Sequence, residues 1–426
     1  MRRSPLTIAA VCAIYAATPP LAAQAPVTRL TAPIRAAVID TVAAQLGRVY
    51  VEADTGLLIG AALKRRLAAG AYDGIENPAQ FAELVSRDLR SVNGDLHLGL
   101  SYSPTPPGQG GGGPAGFGDP GKVNFGMGRV EILDGNVGYL EITGFLGAKG
   151  YEQVAVDALE FLARTDVIII DLRRNGGGSG EMSHFIFSHF LGAEPVKTIT
   201  VKRRAPAEPV VRQSLATVPG PRRTDVPVYL LTSQNTASAA EEFTFVLHNQ
   251  KRVTIVGSRT AGAGHMVNGL QSGYGFTVGI SITRVSDPAT GREWEGTGVL
   301  PDIAVAPERA LLEAHADAVR KLAATSPDSA RLNRLVVALD AKRKPVSVDQ
   351  ARLARFAGTY EGRQLAVAEG KLTYARRAGG LGEELTPLGG NRFALGATQF
   401  EFAEAGGQVT LVVEQANGTR LTLKKS

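Results

Sequence analysis

The stretch DVPVYLLTSQNTASAAEEFTFVLHNQKRVTIVGSRT, residues 225–260, decides the fold. Its apolar run 226–231 is short and bounded by polar residues, which predicts a buried strand. A polar turn covers 232–236. Phe243, Val246 and Leu247 then recur at helical spacing, and a second apolar run, 253–256, closes the unit. Strand, turn, helix and strand in that order predict an α/β fold. Ser238 stands where the turn becomes the helix. The first backbone N–H groups of a helix have no intrahelical partner, and they favour negative charge. Local pattern leaves two readings of Ser238 open. It is a nucleophile beside a helix start, or Thr236 or Ser238 is a helix N-cap, with Glu241 completing a capping box. A nucleophile needs a base from elsewhere in the chain.

Upstream, 137–142 reads as a strand, 151–163 as an amphipathic helix and 167–172 as a buried strand. The chain then turns through DLRRNGGGSGE, residues 171–181. Asp171 and Arg173 end the strand, and Gly176, Gly177 and Gly178 permit positive φ and close backbone approach. Strand ends of this kind line ligand crevices in open α/β sheets, and a glycine turn can aim N–H groups at an oxyanion. The turn is not a phosphate-binding Walker loop, because no GKS or GKT follows, and it lacks the GxGxxG dinucleotide spacing. Residues 235–239 also lack a GxSxG elbow. Downstream come a Gly/Ala loop at 260–264, a strand at 274–283 and the segment REWEGTGVLPDIAV, residues 292–305. Glu293 and Glu295 flank the only tryptophan, and each is suited either to orient a histidine or to face solvent. Helices are predicted over 308–321 and 327–341.

The base is sought among six histidines. His97 lies in SVNGDLHLGLSYS, residues 91–103, where Leu96, Leu98 and Leu100 predict a strand with His97 on the opposite face. His184 and His189 sit in an apolar helical stretch and read as packing. His248 and His315 read as helix-surface residues. His265 is borne on a loop and is the second candidate. Residues 31–89 predict three short helices, with Ile34, Val38, Val42 and Leu46 along one face of the first. PTPPGQGGGGPAGFGDPG, residues 104–121, reads as a flexible spacer or cleft rim.

With 426 residues, 44% hydrophobic and 20% charged, the chain has the balance of a soluble protein of two or three domains. Its net charge of +6 is scattered, without basic blocks interleaved with aromatics, so nucleic acid is excluded as a partner. Arg2 and Arg3, the mostly apolar run 6–17 and small residues at Ala22, Ala23 and Ala25 predict a secretory signal cleaved after Ala23. The run is too short to span a bilayer, so no stable membrane insertion is expected after cleavage. The single cysteine, Cys12, lies inside it, so no disulfide is expected; a bacterial periplasm is the simplest setting. From 346 onward the chain changes to short β-like runs separated by Gly or Asn turns, which predict a small antiparallel barrel or sandwich.

Four blocks together resemble the S41 peptidase family, which includes C-terminal processing proteases, tricorn core proteases and interphotoreceptor retinoid-binding protein repeats. They are GNVGYLEITGF at 135–145, DVIIIDLRRNGGG at 166–178, TSQNTASAAEEF at 232–243 and WEGTGVLPDIAV at 294–305. The resemblance spans roughly 30–325 and implies a mixed-sheet α/β core of ClpP/crotonase-like type. Together with the patterns read above, the expected division is a signal at 1–23, a helical domain at 24–92, a catalytic core at 93–342, for which the resemblance implies no PDZ insertion, and a β domain at 343–426. The processing proteases use a Ser–Lys dyad, but Ala263 stands at the lysine position. The tricorn-like branch uses Ser, His and Glu. The resemblance therefore implies Ser238 as nucleophile, His97 of GDLHLG as base and Glu295 as its orienting acid. It implies Gly177 and Ala239 as backbone oxyanion donors. Leu96, before the histidine, departs from the tricorn pattern. No metal or cofactor is implied, and no HExxH spacing occurs. The expected substrate is a peptide or unfolded protein segment. A peptide- or apolar-ligand-binding module on the same fold and a non-peptide ester or amide hydrolase are the alternatives. Oligomeric state is left open.

Overall fold

The structure is a computed structural model that describes residues 24–105 and 119–426. The expected signal segment with Cys12 and most of the expected glycine-rich spacer lie outside the described residues. In chain order the elements begin with helices α1 (Ala32–Val49), α2 (Ala53–Ala68) and α3 (Pro78–Arg90) and strand β1 (Gly99–Tyr102). Strands β2 (Met127–Leu133) and β3 (Val137–Ile142), helix α4 (Tyr151–Phe161), strand β4 (Val167–Asp171) and helix α5 (Gly180–Ser188) follow. Next come β5 (Lys197–Arg203), β6 (Val210–Gln213), β7 (Val228–Thr232), α6 (Ala239–Asn249) and β8 (Val253–Gly257). Then β9 (Met266–Gly273), β10 (Phe276–Ser286), β11 (Ile303–Ala304), α7 (Ala310–Thr325), α8 (Ser329–Arg343) and α9 (Gln350–Phe356) complete the middle of the chain. The C-terminal strands are β12 (Gly358–Tyr360), β13 (Arg363–Ala368), β14 (Lys371–Ala375), β15 (Glu383–Glu384), β16 (Thr386–Gly389), β17 (Arg392–Leu395), β18 (Thr398–Ala405), β19 (Gln408–Glu414) and β20 (Arg420–Lys424).

Among the described residues two compact units form, one from 24–105 with 267–282, the other from 119–266 with 283–426. In the first, α1 buries Val38, Ile39, Val42 and Leu46 along one face, as the four-residue repeat requires. α2 packs against it so closely that a Cβ on Gly56 would lie 2.5 Å from the Leu46 carbonyl oxygen. Asn77 caps α3 by accepting the N–H groups of Ala79 and Gln80, with Pro78 at the first helical position. β1 runs antiparallel to the first half of β10, from Gly99 opposite Gly279 to Tyr102 opposite Phe276. Phe276 meets Phe81 edge-on at 5.6 Å, so the strands cover the helices' apolar face.

The second unit is built on a six-stranded sheet of order β11-β8-β7-β4-β3-β2. All its pairs are parallel except the antiparallel β2–β3 pair. Both faces are covered, which is why β4 and β7 are apolar at every position from Val167 to Ile170 and Val228 to Leu231. Alternation sends Ile168, Ile170, Val228 and Leu230 toward the core around α4, α5 and α6. Val167, Ile169, Tyr229 and Leu231 enter a second core under α7 and α8. β5 pairs with β6 and with Thr283–Ser286 of β10. The C-terminal strands make two antiparallel sheets, β12 to β15 and β16 to β20, around Phe356, Tyr360, Phe393, Phe400 and Phe402. Phe356 stacks on Phe402 at 4.1 Å. The architecture is therefore mixed α/β with N-terminal helices and C-terminal antiparallel sheets. No helix among the described residues is long and apolar enough to cross a membrane.

Candidate active site

Two turns at the carboxyl ends of β4 and β7 are stitched together. Ser233 Oγ donates to the Arg173 carbonyl at 2.6 Å, Thr236 Oγ1 to the Leu172 carbonyl at 2.8 Å, and the Ala237 N–H to the Asn175 carbonyl at 3.1 Å. The β4 turn is anchored in its own right. Arg173 grips Asp171 through Nε and Nη2 and donates Nη1 to the Pro307 carbonyl. Burial alone would raise the Asp171 carboxyl, but Arg173 and the Tyr139 hydroxyl outweigh it and hold it below the usual carboxylate range. Asp171 and Arg173 are thus committed to the turn's shape.

Ser238 sits at the N-cap of α6 with φ 54° and ψ −121°, a conformation that ordinarily selects glycine. The Glu241 carboxylate accepts the Ser238 N–H at 3.0 Å, one half of the capping box that Ser238 and Glu241 form. The capping-box reading of Ser238 and Glu241 is therefore met. A Cβ built on Gly177, whose φ is 103°, would stand 2.7 Å from Ser238 Cβ and 3.0 Å from the Ala239 nitrogen. Only glycine lets the two turns approach this closely, and the approach brings Gly177, Ser238 and Ala239 together. The Ala239 N–H is bonded to no acceptor among the described residues. The Gly177 N–H donates to Asn175 Oδ1 at 2.9 Å.

Glu241 does more than its capping pattern announced. Fully buried, it also accepts Thr260 Oγ1 at 2.5 Å and the N–H groups of Gly262 and Ala263 at 2.7 Å each. Burial raises its carboxyl above the ordinary value, against the pull of these donors. One carboxylate thereby ties the Ser238 turn to the 260–263 loop. Its partners lie about twenty residues downstream, where no local motif could reveal them.

Glu242, the next residue, is buried, and its Oε1 has no hydrogen-bond partner among the described residues. Burial pushes its carboxyl up to about 7, opposed by Arg212 on β6 and aided by Glu181 on α5. The folded chain thus binds this proton more tightly than the unfolded chain, whose ordinary value is 4.5. The corresponding stability is complete below the unfolded value and lost as pH rises through the folded one, on the order of 3 kcal/mol in all. Glu242→Gln carries no titrating proton. Urea midpoints should therefore fall between pH 5 and pH 8 more steeply in wild type than in Glu242→Gln; parallel slopes would refute the assignment.

The remaining sequence candidates divide between the two units. In the first, His97 lies in a turn, not on the predicted strand, because the strand starts only at Gly99. The turn is set by Asp95, which accepts the His97 N–H at 2.9 Å through Oδ1 and the Tyr50 hydroxyl at 2.9 Å through Oδ2. Leu96, expected to point inward with Leu98 and Leu100, is consequently exposed. In the second unit, Glu295 Oε2 accepts the N–H groups of Gly264 at 2.6 Å and His265 at 2.9 Å and stands 3.8 Å from His265 Nδ1. Glu293 pairs instead with Arg284 at 2.8 Å. His189 is buried between the Phe185 and Pro219 carbonyls, and His184 faces the Gln213 carbonyl. His248 pairs with Asp302. His315, expected on a helix surface, is buried with Nε2 at 2.7 Å from the Asp134 carbonyl oxygen, because α8 packs over that face of α7.

Comparison with known proteins bears on the same segment. The family model described as peptidase family S41 matches residues 136–305, which include Gly177, Ser238, Ala239, His265 and Glu295. A carboxyl-terminal-processing protease of Synechocystis sp. is 31% identical over 171 residues, 39% of this chain and 37% of that protein. The chloroplastic carboxyl-terminal-processing peptidase 3 of Arabidopsis thaliana is 25% identical over 172 residues, 39% of this chain and 32% of that protein. The matched stretch thus spans about a third of the length of these curated relatives. Among solved structures, a lipoprotein from Streptococcus agalactiae aligns with a TM-score of 0.47 at 14% identity, over 67% of this chain and 96% of that one.

Proposed function

We propose that this chain, whose residues 136–305 belong to peptidase family S41, hydrolyses peptides or unfolded protein segments by serine catalysis at Ser238. The observation that carries the reading is the Ser238 backbone. A non-glycine residue held at positive φ on a helix start is the geometry of a presented nucleophile. Ser238 Oγ attacks the scissile carbonyl, and its proton passes to the His97 imidazole, whose ordinary pKa lies near neutrality. The developing oxyanion takes the Ala239 N–H, at the positive end of α6, and the Gly177 N–H, which exchanges the neutral Asn175 amide oxygen for a charged acceptor. The imidazolium returns the proton to the leaving amine, and water then hydrolyses the acyl-enzyme. His97 is assigned from the GDLHLG block. We further propose a ClpP/crotonase-like core and action outside the cytoplasm, in keeping with the sequence reading of residues 1–23.

Glu295 is proposed to orient the base. Glu295→Gln should lower kcat roughly ten- to a hundredfold with KM little changed, because ground-state substrate does not touch this group. Glu293→Gln should remain near wild type, since it gives up only an ion pair with Arg284. Steady-state kinetics of both variants on one peptide decide the matter, and the reverse order of effects rejects the assignment.

The test of the function itself is digestion of an unfolded protein, read by mass spectrometry as new peptide termini that vanish in Ser238→Ala. Ester hydrolysis without peptide cleavage would replace the reading by that of a non-peptide hydrolase. Peptide binding without turnover would replace it by that of a binding module.

A further inference from the structure

A cavity of about 570 Å³ lies apart from the Ser238 turns, between the segment joining α8 to α9 and the C-terminal sheets. Its volume is in the range that encloses a drug-sized molecule. Leu372, Leu385 and Phe393 form its floor, each almost completely buried, and Val346 on the joining segment forms an exposed wall. Gln350 Nε2 donates to the Gly370 carbonyl at 2.9 Å and so fixes the start of α9 to the turn between β13 and β14. The polar groups stand around this apolar lining. Lys371 is engaged by Glu384 at 2.9 Å. Lys342, in the last turn of α8, lines the cavity and has no carboxylate within ion-pairing distance among the described residues. An apolar interior with one uncompensated cation at its edge is complementary to a molecule with an apolar body and an anionic head.

The neighbouring sheet edges argue against an extended peptide adding itself as a strand there. β15 is two residues long and both are glutamates, while β16 carries Pro387 and a register shift between Pro387 and Gly389. Short, charged and proline-bearing edges oppose strand addition. We propose that this cavity is a binding site for a small amphipathic carboxylate of the medium-chain fatty-acid class, its chain against Leu372, Leu385 and Phe393 and its carboxylate at Lys342. The site is independent of the peptidase reading, since it uses none of the residues assigned to hydrolysis.

Decanoate titrated into the full chain by calorimetry provides the test, with decanamide as the uncharged analogue. Binding should saturate at one molecule per chain. Decanamide should bind about tenfold more weakly, and Lys342→Met should weaken decanoate by a similar factor while leaving decanamide unchanged. Val346→Trp, a substitution at an exposed position, should fill the cavity and abolish binding of both, with an unaltered thermal melt. Absence of saturable decanoate binding, or binding indifferent to Val346→Trp, overturns the site. Equal affinity for decanoate and decanamide, or tighter binding of an apolar peptide with blocked ends, overturns the ligand class.

Discussion

Ser238→Ala is expected to reduce peptide hydrolysis by at least about four orders of magnitude, to the residue left by binding and the oxyanion donors. The fold should survive, because the turn is also held by groups other than the Ser238 hydroxyl. The Glu241 carboxylate takes the backbone N–H of residue 238, and Ser233 and Thr236 reach across to the Arg173 and Leu172 carbonyls. Alanine keeps the unfavourable φ of 54°. Glycine would relieve it, so Ser238→Gly should be inactive yet about 1 kcal/mol more stable than Ser238→Ala, the relief exceeding glycine's extra unfolded-state entropy. Thermal melts of the two variants measure the difference. Residual turnover of more than a hundredth in Ser238→Ala would mean that another group is the nucleophile.

His97→Ala is expected to cost roughly two to four orders of magnitude in acylation, the contribution of a positioned general base. A structural role would give another signature. The imidazole belongs to a turn whose backbone is fixed by Asp95, through the His97 N–H and the Tyr50 hydroxyl. These anchors remain in the variant, which should still fold. Added imidazole should restore part of the rate in the variant. The rival is His265, whose backbone is bound by Glu295. If His265→Ala abolishes turnover and His97→Ala does not, the base has been misassigned and Glu295 acts on His265.

The parts of the fold legible in the sequence are those whose pattern is local. The runs around Val167 and Val228 are continuous because a parallel sheet buries both faces, and the four-residue repeat from Ile34 to Leu46 marks α1 because one face is buried. Pro78 and Asn77 mark the start of α3 by their capping chemistry. Long-range association was not legible. Residues 267–282 join the N-terminal helices in one compact unit, although they follow the Ser238 segment in the chain. The sequence around His97 reads as a strand because leucines alternate there; the Asp95 side chain instead turns the backbone and leaves Leu96 exposed. His315 looks solvent-facing from α7 alone and is covered by α8.

The candidate site was legible to a comparable depth. Ser238 and Gly177 stand out as a helix-start serine and a glycine turn, and the structure sets them against each other. Glu241 presented only a capping pattern, because three of its four donors come from residues 260–263. Glu242 presented nothing at all. A glutamate beside a glutamate reads as a solvated helix face, and only the packing of α5 and β6 around it creates the desolvation that lifts its carboxyl.

The most direct measurement of the central claim is the site of covalent capture. The intact chain is treated with a fluorophosphonate at neutral pH, digested, and the adduct located by tandem mass spectrometry. The account predicts a single adduct on Ser238, formed at a rate that falls about a hundredfold or more in His97→Ala. An adduct on another serine with Ser238 unmodified, in protein that still cleaves peptides, would contradict it.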